Sequence, residues 1–485
     1  MPSLVGSEMC IRDRNNRVFL LIKYIKLNIN RFFLLIVLLC IINHKELHAQ
    51  NLNLIQDAEI ELTIRKWVEP IFKVAGISSK AVNIYIVNDK SINAFVAGGQ
   101  NIFINTGLIL KAKKADALIG VLAHEIGHIA GGHLNRTINS MKDASNTVTI
   151  ATLITAGLMA ASKVSGMRTP GIGKLITLGP TIAARNFYKN SRQNEKYADA
   201  AALKYMSAVN RSCLPLAILL KNLGKQELLH ENRQDPYLRT HPISQDRISE
   251  IMEASKKIKI KYRAESKLDE LQYKRMVAKI IAFTNNSGKT LLLYPKSNND
   301  VDAKYARAIA YLRLPDLDKG IKEISELIIN NKEDPFFPEL LGQMLFENGK
   351  VYESISELQK SSDLLPNNPI ILLALSRSQV ESGKEKENNK AINNLKKLLQ
   401  IKPKNIAAWK LLSIAEARNN NISLAQLASA ESYFLLGELD LAIQFAKKAR
   451  IAFKKNSPSD IRALDIIFFS NERINKLRAT QNITD

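Results

Sequence analysis

The pentad His124-Glu125-Ile126-Gly127-His128 restricts the fold of this chain more than any other feature of its sequence. On a helix of 3.6 residues per turn, positions i and i+4 share a face, so His124 and His128 can offer nitrogens to one metal ion while Glu125 stands beside them. With seven histidines in 485 residues, such a pentad arises by chance only ~0.006 times per chain, which disfavours an ordinary core helix. A fold built around it must turn that helix face toward a metal. It must also bring up a second element with a third ligand and leave one position open for water.

Two candidates could supply that ligand. His133 follows the glycine pair Gly131-Gly132, but a third histidine in the pattern HExxHxxGxxH belongs at position 134, which is Leu134. On an uninterrupted helix His133 would lie about 140° around from His128 and about 180° from His124. His133 is therefore expected as a helix-terminal residue, favoured by the helix dipole or by packing behind the site. The other candidate lies in NEKYADAAALKYM, where Glu195 and Asp199 are four apart and flanked by Ala198, Ala200, Ala201 and Ala202, small enough for close helix approach. A carboxylate ligand with a second carboxylate accepting an N–H from a liganding histidine is an arrangement that zinc sites use.

Around this pair the pattern mixes helix and strand. Residues 53 to 75 repeat at helical spacing, VNIYIV (Val82 to Val87) and QNIFIN (Gln100 to Asn105) read as strands, and NAFVAGG (Asn93 to Gly99) reads as a turn-rich connection. Asp116 to Leu134 is one long helical segment closed by two glycines. The apolar stretches Thr147 to Ala161 and Ile172 to Ala184 are short for membrane spans and are expected as a buried helical hairpin, with a membrane-dipping or lid element as the alternative.

Beyond a charged stretch, Ala254 to Glu270, helices alone are expected. Gly349 and Gly383 are separated by the same interval as Asp334-Pro335 and Asn368-Pro369, the ~34-residue period of tetratricopeptide repeats. The next copy is shifted: Leu365-Pro366 recurs as Lys402-Pro403, with Gly383 to Lys390 accommodating the extra residues. Such an array buries its apolar faces by stacking and presents a concave groove for binding. The domains are expected as 50–255 for the metal-binding part, 256–300 for a connecting helix and 301–475 for the repeats.

The amino terminus is set apart from the fold. Residues 1–14 resemble a translated sequencing adapter, and 15–49 read as a signal peptide: Lys23, Lys26 and Arg31 precede the apolar run Phe32 to Ile42, with cleavage expected after Ala49. Removing both leaves Cys213 as the lone cysteine, so no internal disulfide is expected, which suits a bacterial periplasm. The net charge of +23 is scattered rather than blocked, which implies attraction to acidic surfaces such as anionic lipid headgroups. No aromatic-studded basic motif supports nucleic-acid binding.

HEIGHIAGGH followed by EKYAD and THPISQDRI (Thr240 to Ile248) resembles the zinc peptidase family that includes the CAAX prenyl proteases and the HtpX membrane proteases. NAFVAGGQNIFINTGLI, Asn93 to Ile109, is similar to that family's segment ahead of the metal helix. With a signal peptide in front and repeats behind, the chain resembles the BepA-like branch. LQYKRMVAKIIAF (Leu271 to Phe283) also resembles that branch's connecting helix. The resemblance implies an α+β zinc metalloprotease domain, mostly helical with a small β-sheet, followed by an all-α tetratricopeptide-repeat solenoid. It implies one Zn²⁺ per chain on His124, His128 and Glu195, with Glu125 as general base and Asp199 orienting a liganding histidine. It further implies His241 as a regulatory histidine, Arg247 as an oxyanion stabiliser, and Gln100, Asn101, Ile102, Phe103 and Ile104 as the edge strand for substrate. Implied clients are misfolded or stalled outer-membrane proteins and the outer-membrane assembly machinery. Two other readings stay open: a repeat adaptor or chaperone with vestigial proteolysis, and a membrane-integrated HtpX-like protease.

Overall fold

The computed structural model describes residues 53–133, 182–225, 236–257, 266–314 and 316–481. The apolar stretches at 147–161 and 172–184 lie outside that set, apart from residues 182–184 at the start of a helix, and so do segments 1–14 and 15–49. Among the described residues no helix is long and apolar enough to cross a membrane.

After the short strand β1 (Leu54–Ile55) comes helix α1 (Ala58–Ala75), started by Asp57, whose carboxylate accepts the Ile60 N–H at 2.9 Å, and ended by Gly76 at φ 69°. Its buried residues Ile60, Ile64, Trp67, Val68, Ile71 and Phe72 recur every three or four positions and face the core. The sheet has the order β1-β2-β4-β3, with β2 (Asn83–Val87) parallel to β4 (Asn101–Asn105) and β3 (Ala94–Ala97) antiparallel to it. Ile84, Ile86, Ile102 and Ile104 line one face, while Tyr85, Phe103 and Phe95 stack across three strands on the other, with ring centroids 5.1 Å apart at each step.

This topology corrects two expectations. NAFVAGG is not wholly a connection, because Ala94–Ala97 is a strand and only Gly98 and Gly99, at φ +57° and +98°, make the turn. The residues expected to form the substrate edge, Gln100, Asn101, Ile102, Phe103 and Ile104, are not an edge: β4 is interior, with β2 on one side and β3 on the other. The edge beside the metal helix is β3.

Helix α2 (Thr106–Ala112) leads into α3 (Ala115–Ala130), which carries the pentad and is buried from Ala115 to Gly127 because α1, α4 (Ile182–Ala208) and α5 (Leu214–Gly224) surround it. Helices α6 (Pro236–Thr240) and α7 (Gln245–Lys257) complete this part. Helix α8 (Lys267–Thr284) serves two cores: Tyr273, Met276 and Ile280 join the first, Ala278 and Ala282 the second.

The rest is helical: α9 (Ser287–Leu293), α10 (Val301–Leu312), α11 (Leu317–Asn330), α12 (Phe336–Glu347), α13 (Val351–Leu364), α14 (Pro369–Glu381), α15 (Glu385–Ile401), α16 (Ile406–Arg418), α17 (Ile422–Leu436), α18 (Leu439–Arg450) and α19 (Pro458–Gln481). Each of these helices packs on the next, the layout of a solenoid. Gly349 and Gly383, at φ 76° and 70°, occupy equivalent turns between helices. The shift in period has a simple origin: α15 has 17 residues where α13 has 14.

Candidate metal centre

Three elements converge on one point. Helix α3 presents His124 and His128 from adjacent turns, α4 crosses it with Glu195 and Asp199, and the turn between α6 and α7 delivers His241. The crossing is close because α3 has no side chain at Gly127, where a Cβ would lie 3.0 Å from the Ala201 Cβ and 3.1 Å from the Ala198 Cα. His124 and Glu125 are 1% exposed and Glu195 4%, so charge placed among them is weakly screened by water.

His124 Nε2 lies 3.0 Å from His128 Nε2, and each is 3.3 Å from an oxygen of Glu195. His241 Nδ1 is 3.3 Å from His124 Nε2 and 3.1 Å from Glu195 Oε1. One donor atom from each of these four residues falls within 4.8 Å of the others. A tetrahedral ion with bonds of ~2.0 Å separates its ligands by ~3.3 Å. Five of the six pairs approach to 3.0–3.3 Å when both Glu195 oxygens are counted, close to that spacing, and three imidazoles with one carboxylate are a donor set for a divalent transition metal. His133, whose ring faces the outer side of His128, is not in the group.

The far sides of these ligands are held in turn. Asp199 Oδ1 is 2.9 Å from His124 Nδ1 and fixes the ring with its Nε2 toward the centre. Arg247 grips Asp199 with two bonds, Nε to Oδ2 at 2.7 Å and Nη2 to Oδ1 at 2.9 Å. Its Nη1 donates to the Pro242 carbonyl at 2.6 Å and lies 3.0 Å from Glu195 Oε2. Burial opposes charge on His124, but hydrogen bonds with Asp199 and Glu195 outweigh it and raise the imidazole to about 10. Burial pushes His128 down to about 3. Glu195 is drawn well below the usual carboxylate range, the pull of His241, His124 and His128 overcoming its burial. Glu125 is shifted upward, mainly by burial. Its Oε1 lies 3.4 Å from His241 Nε2, so a single imidazole touches both the ligand cluster and this carboxylate.

Two contributors escape a reading of the sequence. The Tyr237 ring stacks on His241 at 4.8 Å, and the His241 N–H donates to the Tyr237 carbonyl at 2.8 Å. The i, i+4 spacing of Tyr237 and His241 is a faint signal of that contact. Strand β3 is the other, hidden by its four-residue length.

Residues 57–255 match peptidase family M48. The chain is 24% identical over 404 residues to the Beta-barrel assembly-enhancing protease of Escherichia coli (strain K12), spanning 82% of this chain and 79% of that one. It is 25% identical over 406 residues to the Putative beta-barrel assembly-enhancing protease of Vibrio cholerae, spanning 81% of each. A solved structure of MamA aligns with 34% of this chain and 99% of its own at TM-score 0.31 and 16% identity. Residues 57–255 thus match an M48 metallopeptidase domain, the helices behind them stack as a solenoid, and the chain is a metalloendopeptidase with a candidate site for a metal ion.

Proposed function

We propose that this metalloendopeptidase uses one zinc ion per chain to hydrolyse peptide bonds in misfolded or stalled outer-membrane proteins of the bacterial periplasm, its repeats binding those clients or the assembly machinery. The observation that carries the reading is the convergence of four donors, three of them buried and His128 half-buried, with Glu125 beside them. Zinc is favoured by the mixture of imidazole and carboxylate at tetrahedral spacing. The client class is supported by the names of the relatives, which refer to β-barrel assembly. The compartment is supported by the signal-like segment 15–49.

When bound, zinc supplies Lewis acidity toward the scissile carbonyl and makes the attacking water more acidic. Glu125 takes the proton from that water and returns it to the leaving amine, a round trip suited to a carboxyl that burial has pushed upward. Asp199 orients His124, and Arg247 acts by holding Asp199 and Glu195 in place rather than by meeting the oxyanion. The substrate adds to β3. Asn93 directs its carbonyl inward to the Asn105 N–H at 3.0 Å, so the alternation of an antiparallel ladder turns Ala94 and Val96 outward. The test is zinc content. Wild type is expected to hold one ion, and Glu195→Gln to lose affinity by more than the ~10–100-fold typical of an outer-shell change. A variant that kept its full zinc would remove Glu195 from the ligand set.

A specific observation favours latency within the same reading. His241 fills the position that water needs and lies against Glu125. The segment bearing it is tied to the edge: the Tyr237 N–H donates to the Ile92 carbonyl at 3.2 Å, on the same outward row as Ala94 and Val96. A client extending along β3 competes for that carbonyl and loosens the histidine. His241→Ala is expected to raise cleavage of a misfolded client severalfold and to shorten any lag. Unchanged cleavage would refute the plug.

A further inference from the structure

The two pentad histidines are braced on their far sides by different chemistry. His124 has a carboxylate, Asp199, whereas the Nδ1 of His128 lies 2.8 Å from the Nδ1 of His133. His133 reaches it because α3 stops at Ala130. Gly132 then takes the left-handed conformation at φ +61°, and the chain folds back instead of continuing the helical phase. The returning ring occupies the space over Gly131, where a Cβ would stand 2.3 Å from His133 Nε2 and 2.7 Å from its Cδ2. His133 is 4% exposed, so this is a built contact and not a surface encounter.

We propose that His133 is a positioning residue for the metal site, accepting the Nδ1–H of His128 on its own Nδ1 and so fixing the His128 tautomer that turns the Nε2 lone pair toward His124 and Glu195. The argument is one of complementarity. His128 Nε2 faces another imidazole nitrogen at 3.0 Å and a carboxylate oxygen at 3.3 Å, and it can join them around a cation only if its proton sits on Nδ1. An Nδ1–H with a partner at 2.8 Å requires an acceptor there, and His133 supplies a neutral one. Neutrality matters because Glu125, Glu195 and Asp199 already stand around the centre. One divalent ion and the Arg247 guanidinium together balance those three, so a second bracing carboxylate would add buried charge left uncompensated. Gly131 and Gly132 thus serve to admit and return this ring.

The inference rests on the zinc reading, and the experiment separates the two. Zinc affinity of the purified protein is measured by competition with a chromophoric chelator for wild type, His133→Ala and His133→Asn, whose Oδ1 can stand where Nδ1 stands. Wild type without zinc would sink the metal reading itself. With zinc bound by wild type, His133→Ala is expected to bind ~10–100-fold more weakly and His133→Asn within about threefold. The metal-free melting temperatures should be unaltered, and kcat should fall at constant KM. Equal affinity of His133→Ala and wild type would overturn the proposal. So would His133→Asn failing as badly as His133→Ala with its metal-free stability intact. Should either variant not fold, ¹⁵N shifts of labelled histidines in the zinc-loaded wild type decide instead, since a protonated Nδ1 on His133 contradicts the assignment.

Discussion

Glu125→Gln is expected to lower kcat for peptide hydrolysis by ~100- to 10,000-fold while leaving zinc content and KM close to wild type. The reason lies in where Glu125 stands. It follows His124 directly in α3, is 1% exposed, and lies outside the group of donor atoms that would hold the ion. Gln keeps the volume and one acceptor oxygen but cannot take a proton, so only the proton transfer is lost. Burial already favours the neutral form of this carboxyl, so a neutral amide strains the surroundings little. The same variant discriminates the adaptor reading from the protease reading in cells. If outer-membrane protein assembly were fully supported by Glu125→Gln, the repeats would carry the function and proteolysis would be secondary. If assembly failed although the variant folded and bound clients, hydrolysis itself would be required. A variant with undiminished kcat would remove Glu125 from the mechanism.

The site was legible in the sequence to the extent that its logic is local. His124 with His128, and Glu195 with Asp199, are i, i+4 pairs, and helical geometry alone puts each pair on one face. The closeness of the two helices was also readable, in the alanines from Ala198 onward, and the structure sets Ala201 against Gly127, where an added Cβ would stand 3.0 Å from the Ala201 Cβ. His133 shows where such reasoning ends. Its helical phase directs it away from the site only if the helix continues, and two glycines can either continue or reverse a chain. The edge strand was missed for a related reason: Ala94–Ala97 is four residues long, and alternation over so short a run is masked by the glycines that follow. The repeats were visible because turns between stacked helices demand Gly at left-handed positions, as at Gly349 and Gly383. At the joint between the peptidase part and the repeats the connecting helix was legible but its ion pairs were not, since they tie it to Asp57 and Glu59, the latter 220 residues before Lys279, and to Asp334 and Glu339 after it. Lys279 reads as an ordinary solvated lysine of an amphipathic helix, yet it is 2% exposed.

That joint gives the largest expected effect on stability. Lys279→Met is expected to destabilise the fold by ~3–5 kcal/mol at pH 7.5, seen as a lowered calorimetric transition. In α8 the ammonium of Lys279 lies 2.8 Å from Asp57, which caps α1, 3.5 Å from Glu59 and 3.9 Å from Glu339 in α12. Arg275, one helical turn earlier, is 2.7 Å from Glu59 and 2.5 Å from Asp334, and the Tyr305 hydroxyl donates to Glu59 at 2.8 Å. Removing one cation leaves three carboxylates converging in a nearly dry pocket, a larger loss than the pair was worth relative to an apolar replacement. The dependence on pH carries its own sign. Burial pushes Glu339 up to about 7 from its ordinary 4.5. A carboxyl raised on folding contributes stability that is complete below its unfolded pKa and lost as pH rises through the folded one. Without Lys279 the shift of Glu339 grows, because the ammonium is among the groups that lower it. The penalty of Lys279→Met should therefore shrink as pH falls from 7.5 to 5, where Glu339 takes up a proton and relieves the excess charge. A penalty below ~1 kcal/mol at both pH values would show that water enters the joint and screens it.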